Sequence, residues 1–453
     1  MAERTPRRLV IPRLSSLMGH RGRAIANTAA WSLAAKLASA ANLFVAVPFV
    51  LRALDPKQFG AWATLVSLVY FAGFLDFGFG NGTMNLVAAA HGRSATDEIA
   101  VILRESRRTL AKVAAGLALA VLVALPLVPW YRLLGLPADM ADPCRYAAAA
   151  VLFSIVLAVP LNLANRVQLG LGRGERAFRW QAAGQLFALV AVVAMAFMDA
   201  SLPLLTLAAV STPLLASACN TLSLWRDPEL RLPRGSPRHA GIATRIRHEG
   251  FLFFVMQLAA ALAFSADLPL ISALQDPAQA GVYAIVQRLF SVIPLGLSLV
   301  WAPLWPTYRH ALAGGHHQWV ARTVRRSIIM AMCIALALGS MMVIGFDWIT
   351  GFWVHRALAV STQLLVGFAA WSVLEAAGTA LATFLNAASV MRIQVMAACA
   401  FATACLIGKY WAIRHWGIAW MPWVTVATYS LTALLPFAWN WKRIFAEAVA
   451  KKY

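Results

Sequence analysis

The chain alternates long apolar blocks with short polar connections. Twelve blocks read as helices, over roughly 24–50, 60–85, 109–131, 144–165, 177–198, 202–225, 250–274, 281–304, 323–349, 359–386, 393–413 and 417–440. At 1.5 Å per residue each is long enough to cross a hydrocarbon core of about 30 Å. The pattern predicts an all-α polytopic membrane protein with about twelve transmembrane helices. Between the blocks, 1–23 is a basic tail and 91–108 mixes charges with Ile99, Val101, Ile102 and Leu103 in the manner of a short interfacial helix. Segment 226–249 is polar and Pro-rich, a natural linker, and 441–453 is a second tail. The expected units are a six-helix bundle over 24–225 and another over 250–440.

A repeat supports that division. Pro48 to Ala63 reads P-F-V-L-R-A-L-D-P-K-Q-F-G-A-W-A, and Pro269 to Ala284 reads P-L-I-S-A-L-Q-D-P-A-Q-A-G-V-Y-A. Without a gap, Asp55-Pro56 falls on Asp276-Pro277, Gln58 on Gln279, Gly60 on Gly281 and Trp62 on Tyr283. The same offset brings Asn165 onto Asn386. Chance explains shared Leu and Ala in apolar sequence, but not a shared D-P-x-Q-x-G. Six spans per half make the repeat parallel, with a site expected where the halves meet.

Composition agrees: 61% of residues are hydrophobic and 13% charged, against about 45–50% and about 25% in soluble domains. The net charge of +21 could suggest nucleic acid. Its distribution argues otherwise. With the N-terminus inside, thirty Lys and Arg fall in cytoplasmic segments, six of them in the first tail (Arg4, Arg7, Arg8, Arg13, Arg21 and Arg23). Only seven, Lys409 among them, fall in external ones. This bias places both termini in the cytoplasm and the basic residues against anionic membrane lipids; it calls for no nucleic acid. Ala38-Ser39-Ala40 resembles a signal cleavage site, but Lys36 interrupts the apolar region and no polar domain follows, so the first span is expected to be retained. The five cysteines (Cys144, Cys219, Cys333, Cys399 and Cys405) lack metal-ligand spacing and read as small apolar residues. No metal or cofactor is expected, and His316-His317 reads as a solvated turn. Without a phosphate-binding loop, ATP-driven transport would need another subunit.

Five ionisable residues lie within spans: Lys36, Asp76, Asp267, Arg288 and Glu375. Each costs at least about 2.5–3.5 kcal/mol at a helix centre, so each should face the bundle interior or a wet cavity. Counting from the turns at Pro56 and Pro277, Lys36 matches Asp76 in depth and Asp267 matches Arg288. Two intramembrane pairs are expected, either holding each hairpin in register or lining an aqueous cavity that binds an anionic substrate. Glu375 has no counterpart at its depth, and could couple ions or protons or simply bond to neighbouring hydroxyls; Asp267 is a second coupling candidate. Pro48 and Pro269, equivalent in the repeat, are candidate bending points.

From Leu75 to Arg93 the chain reads L-D-F-G-F-G-N-G-T-M-N-L-V-A-A-A-H-G-R, and from Asn165 to Arg176 it reads N-R-V-Q-L-G-L-G-R-G-E-R. Together with the first repeat motif, these resemble the polysaccharide-exporter branch, the O-antigen repeat-unit flippases, of the multidrug/oligosaccharidyl-lipid/polysaccharide (MOP) superfamily. The resemblance implies a cavity between two six-helix bundles, lined by spans one, two, seven and eight, which carry Lys36, Asp76, Asp267 and Arg288. Its cations would engage the diphosphate of a polyprenyl-linked oligosaccharide, and its acids would serve ion coupling. This chain departs in having two cations there against three acids. The expected function is flipping of lipid-linked repeat units across a bacterial inner membrane for surface polysaccharide, with a polymerase and a chain-length regulator as possible partners. The alternative is a cation-coupled multidrug exporter of the same superfamily. A membrane-embedded polymerase fits worse, because the connections are too short for a catalytic domain.

Overall fold

The computed structural model describes residues 20–69, 75–93, 95–227, 230, 240–301, 304–313, 315–355, 358–388, 390 and 392–450. The expectation for the tail up to residue 19, and for most of 228–239 in the linker, lies outside them. Every regular element among the described residues is helical. In chain order they are α1 (His20–Ala53), α2 (Pro56–Ser67), α3 (Phe79–Gly92), α4 (Thr96–Leu127), α5 (Trp130–Leu133), α6 (Ala141–Leu161), α7 (Leu163–Gly170), α8 (Gly174–Phe197) and α9 (Leu202–Trp225) in the first half. The second half has α10 (Ala240–Phe264), α11 (Asp267–Leu274), α12 (Pro277–Phe290), α13 (Val292–Trp301), α14 (Leu304–Ala313), α15 (His317–Ile344), α16 (Phe346–Val354), α17 (Thr362–Ala387), α18 (Arg392–His415), α19 (Met421–Tyr429), α20 (Leu435–Trp439) and α21 (Trp441–Ala450). Stretches of α4, α8 and α15–α16 expose large apolar side chains, as a lipid-facing belt requires: Leu122, Phe187, Val190, Ile344, Trp348 and Phe352 are examples.

Among the described residues, ten helices are long and apolar enough to cross a membrane, or eleven if α10 and α11 form one bent span. The twelfth expected span is the second, which is interrupted. Residues α2 and α3 are short helices, and Leu75–Gly78 between them is a turn in which Phe77 and Gly78 have positive φ (50° and 76°). A glycine suits the left-handed conformation at 78. The stretch 91–108 also departs from expectation. It is no separate interfacial helix: Thr96 onward is already α4, and Ile99, Ile102 and Leu103 are buried in the core with Leu86, Val87 and Val167. Likewise, residues of the second tail form helix α21, with Trp441 and Phe445 against Phe384.

The repeat motifs fold alike for a local reason. Asp55 caps α2, accepting from the Lys57 and Gln58 amides, and Asp276 caps α12, accepting from that of Ala278. The prolines behind them occupy the first helical position, where no N–H is needed. α2 and α12 then cross at the equivalent glycines. A Cβ on Gly60 would overlap the Pro277 carbonyl, and one on Gly281 would lie 2.9 Å from the Phe59 ring and 3.3 Å from Gly60 Cα. Thr64 and Ser272 hydroxyls, both buried, meet 2.6 Å apart beside this crossing. The two halves are thus in backbone contact at the end that carries the Asp-Pro turns.

Of the two candidate bending points, one is bent. α10 and α11 meet at 42°. Pro269 sits in the first turn of α11, and its ring excludes the helical bond to the Ser265 carbonyl, so the helix breaks at Ser265–Ala266. Pro48 lies inside the unbroken helix α1.

Candidate functional site

In the first half, the turn before α3 together with α6, α7, α8 and α9 surrounds a cavity of about 450 Å³. Asp76 stands at its edge because the interruption of the second span turns it into a cap. Its Oδ1 accepts from Gly78 N at 2.9 Å and its Oδ2 from Gly80 N at 3.1 Å, so the carboxylate faces the positive end of α3. Arg166 on α7 approaches the same place. A Cβ on Gly80 would touch Asp76 Oδ2 and lie 3.6 Å from Arg166 Nε. Asn162, Asn165, Gln181, Gln185 and Ser217 add polar groups, and Trp180 adds an aromatic face. Some of these amides are held from behind: Asn220 donates to Asn165 Oδ1 at 2.7 Å, and Asn42 of α1 donates to Gln185 Oε1 at 2.9 Å.

Neither expected ion pair forms. Lys36 donates across the boundary between halves to Ser298 on α13, at 2.9 Å, while Asp76 is taken up by its own helix end and lies near Arg166. Arg288 places its guanidinium 5.3 Å from the Trp62 ring centroid, a cation–π contact that also joins the halves. Asp267 pairs instead with Lys409, whose Nζ donates to its Oδ1 at 2.6 Å and to the Ala263 carbonyl at 2.8 Å. Tyr283 donates to the other carboxylate oxygen at 2.8 Å. Matching depth was a poor guide because it ignores which way a side chain points around its helix. The interruption of the second span also breaks the residue count that placed Asp76.

Lys409 and Arg166 were missed as interior groups. Lys409 was counted with the external segments although it lies inside the block 393–413; it is 1% exposed within α18, and Asp267 is 4% exposed. The break before α11 leaves the Ala263 carbonyl available, so the ammonium bonds a carbonyl and a carboxylate together. Arg166 fell just beyond the expected span 144–165; the chain stays helical through Gly170, and Arg166 lines the cavity. Glu375, in contrast, lies where a lone carboxylate was expected, on α17. It lies one helical turn beyond Trp371 and adjoins Tyr429. Tyr429 meets Trp371 and Phe401 edge-on, and Phe264 completes the aromatic group. Just beyond Tyr429, Ser430–Leu434 form a π-helical turn. Among the described residues no cluster of His, Cys, Asp and Glu could hold a metal ion.

The helical bundle with interrupted spans and polar interior places the protein in a class, that of multi-pass membrane proteins built from two repeated bundles. The model of the family described as "Polysaccharide biosynthesis protein" matches residues 25–308, more than half of the chain. The chain belongs to that family. Its fold is similar to an inward-facing multidrug resistance MATE family transporter of the MOP superfamily, with a TM-score of 0.75 at 14% identity over 91% of this chain and 96% of that one. It is also similar to an outward-facing transporter of the same description (TM-score 0.62, 16% identity, 96% and 98% covered). A MOP superfamily transporter from Pyrococcus furiosus, reported for the reversed polarity of its binding pocket, gives 0.63 at 15% identity with 95% and 97% covered. No curated protein matches.

Proposed function

We propose that the protein flips lipid-linked oligosaccharides, carrying polyprenyl-diphosphate-bound repeat units from the cytoplasmic to the outer leaflet of a bacterial inner membrane. One observation supports this above the others: in a member of the polysaccharide biosynthesis family, two cations, Lys36 and Arg288, sit on opposite halves where the bundles meet. Lys36 donates there to the Ser298 hydroxyl, and the Arg288 guanidinium lies over the Trp62 ring. A diphosphate passing along the boundary would meet each cation in turn and gain charge-assisted hydrogen bonds, in a setting where water screens little. Rocking of the bundles would then move the head group past the bilayer midplane while the lipid tail stays in the membrane. Glu375 is the proposed coupling carboxylate. The Asp267 charge is already balanced by Lys409, which suits it less for that role than the sequence suggested. A polymerase and a chain-length regulator would act on the delivered units.

A second reading has its own support. Glu375 amid Trp371, Tyr429, Phe401 and Phe264 would suit a lipophilic cation, as in export of cationic drugs. The two readings part in cells lacking the protein, with diphosphate-linked oligosaccharides measured on each leaflet. Flipping requires complete units to accumulate on the cytoplasmic leaflet, with recovery by wild type and not by Arg288→Ala produced at equal level. Unchanged lipids together with raised sensitivity to cationic drugs would transfer the assignment to export.

A further inference from the structure

We infer that the cavity in the first half is a saccharide subsite, which recognises sugars of the repeat unit beyond the one attached to diphosphate. The inference rests on the flippase reading and adds a location and a chemistry to it. The cavity's volume of about 450 Å³ falls in the range of small-ligand sites, about 300–1,000 Å³. Its lining is unlike that of an apolar drug pocket. Asn162, Gln181 and Ser217 have side chains with no partner among the described residues, in spans where unmet polar groups are costly. Asn165 and Gln185 have their carbonyl oxygens occupied by Asn220 and Asn42, which leaves their amide N–H groups to donate. Trp180 presents an aromatic ring to the same space. On that helix, the exposed residues one to three turns further along, Leu186, Phe187 and Val190, are apolar and face lipid.

Charge narrows the ligand class. The cavity carries both signs of charge: Arg166 and Asp76 both border Gly80, and the Asp76 carboxylate is fixed by two backbone amides. A phosphate would have to compete with that carboxylate, and a cation with that guanidinium. A neutral ligand rich in hydroxyls avoids both conflicts, since each hydroxyl can donate and accept and a pyranose ring has an apolar face for Trp180. Position agrees as well. Asn42, which holds Gln185, lies six residues along α1 from Lys36, about 9 Å. A head group engaged at Lys36 could therefore reach the cavity with its next sugars.

The test uses the full chain in proteoliposomes with two probes: the cell's own lipid-linked repeat unit, and polyprenyl diphosphate carrying one sugar. Flipping is read as exposure of the sugar to an added impermeant oxidising enzyme. Trp180→Ala and Gln181→Ala are expected to slow the complete unit at least tenfold and the one-sugar lipid less than threefold. Trp180→Phe, which keeps an aromatic face, should restore most of the rate and shows that loss at this position is not misfolding. Equal slowing of both lipids, or of neither, by protein that elutes as a single species would overturn the subsite and leave the flippase reading in place. If wild type flips neither lipid, the flippase reading falls and takes the subsite with it.

Discussion

The glycine crossing between α2 and α12 allows a quantitative test of how the two halves move. A Cβ at position 60 would overlap the carbonyl oxygen of Pro277, a backbone atom in a capped helix start that cannot rotate away. At position 281 the nearest atom is 2.9 Å away and belongs to the rotatable ring of Phe59. Gly60→Ala should therefore penalise the arrangement in which this end is closed by about 1–3 kcal/mol, the usual cost of overpacking. That shifts the balance between closed and open by about 5–150-fold. Gly281→Ala should shift it by about threefold or less, because the ring can yield. Helix propensity also improves by about 0.5–1 kcal/mol in both variants, but the helices persist in either arrangement, so this gain cancels. Ser272→Cys makes a reporter: residue 272 is buried beside Thr64 when the end is closed. With the other cysteines removed, an impermeant maleimide should label Cys at 272 faster in the Gly60→Ala background by that factor. Equal labelling in the two alanine backgrounds would refute the argument from geometry, as would an unchanged rate in Gly60→Ala.

Two further outcomes follow from the interior charges. Asp267→Asn or Lys409→Met alone leaves a buried charge without its partner, at a cost of about 3–5 kcal/mol. The double substitution should survive heating in detergent better than either single one, and a double variant less stable than both would deny that the pair is coupled. Glu375→Gln should abolish the dependence of transport on an imposed proton or sodium gradient while leaving protein level unchanged; gradient-driven transport at the wild-type rate would remove Glu375 from coupling.

What was legible in the sequence was mostly what depends on near neighbours in the chain. D-P-x-Q-x-G was legible as a repeat, and it folds twice as a capped helix start because the cap and the first-turn proline act within three residues; the hydrophobic blocks marked the spans. The D-F-G-F-G run also contained a signal for a helix start inside the second block, an acid followed by two glycines. Hydropathy averaged over that block hid it. Asp76 was selected, but as half of a pair with Lys36 rather than as the cap of α3. Long-range choices were not readable. Lys409 and Asp267 lie 142 positions apart, and nothing in either local sequence says that a broken helix will free the Ala263 carbonyl for the ammonium. Arg166 failed for a related reason: a polar run near a span end looks the same whether it leaves the membrane or turns its polar face toward a cavity.

The repeat itself explains why the chemistry divides as it does. Its backbone features, the caps and the crossing glycines, are shared by both halves and are positioned to hold the halves together at one end. Its charges are not shared. By the repeat offset Asp267 corresponds to Ala46, Tyr283 to Trp62, Asp76 to Leu297 and Lys36 to Gln257. The second half encloses its carboxylate with Lys409 and Tyr283 in a dry core, whereas the first half sets its own at the edge of a cavity with Arg166. Symmetric parts suit a motion in which the bundles rock against each other, since each half must offer a similar surface to the crossing. Asymmetric charges suit a cargo with unlike ends. On the proposed reading, a diphosphate would meet one cation from each half, Lys36 and Arg288. A neutral saccharide needs hydrogen bonds from one side, and the half that lacks the buried Lys409–Asp267 pair has the cavity to provide them.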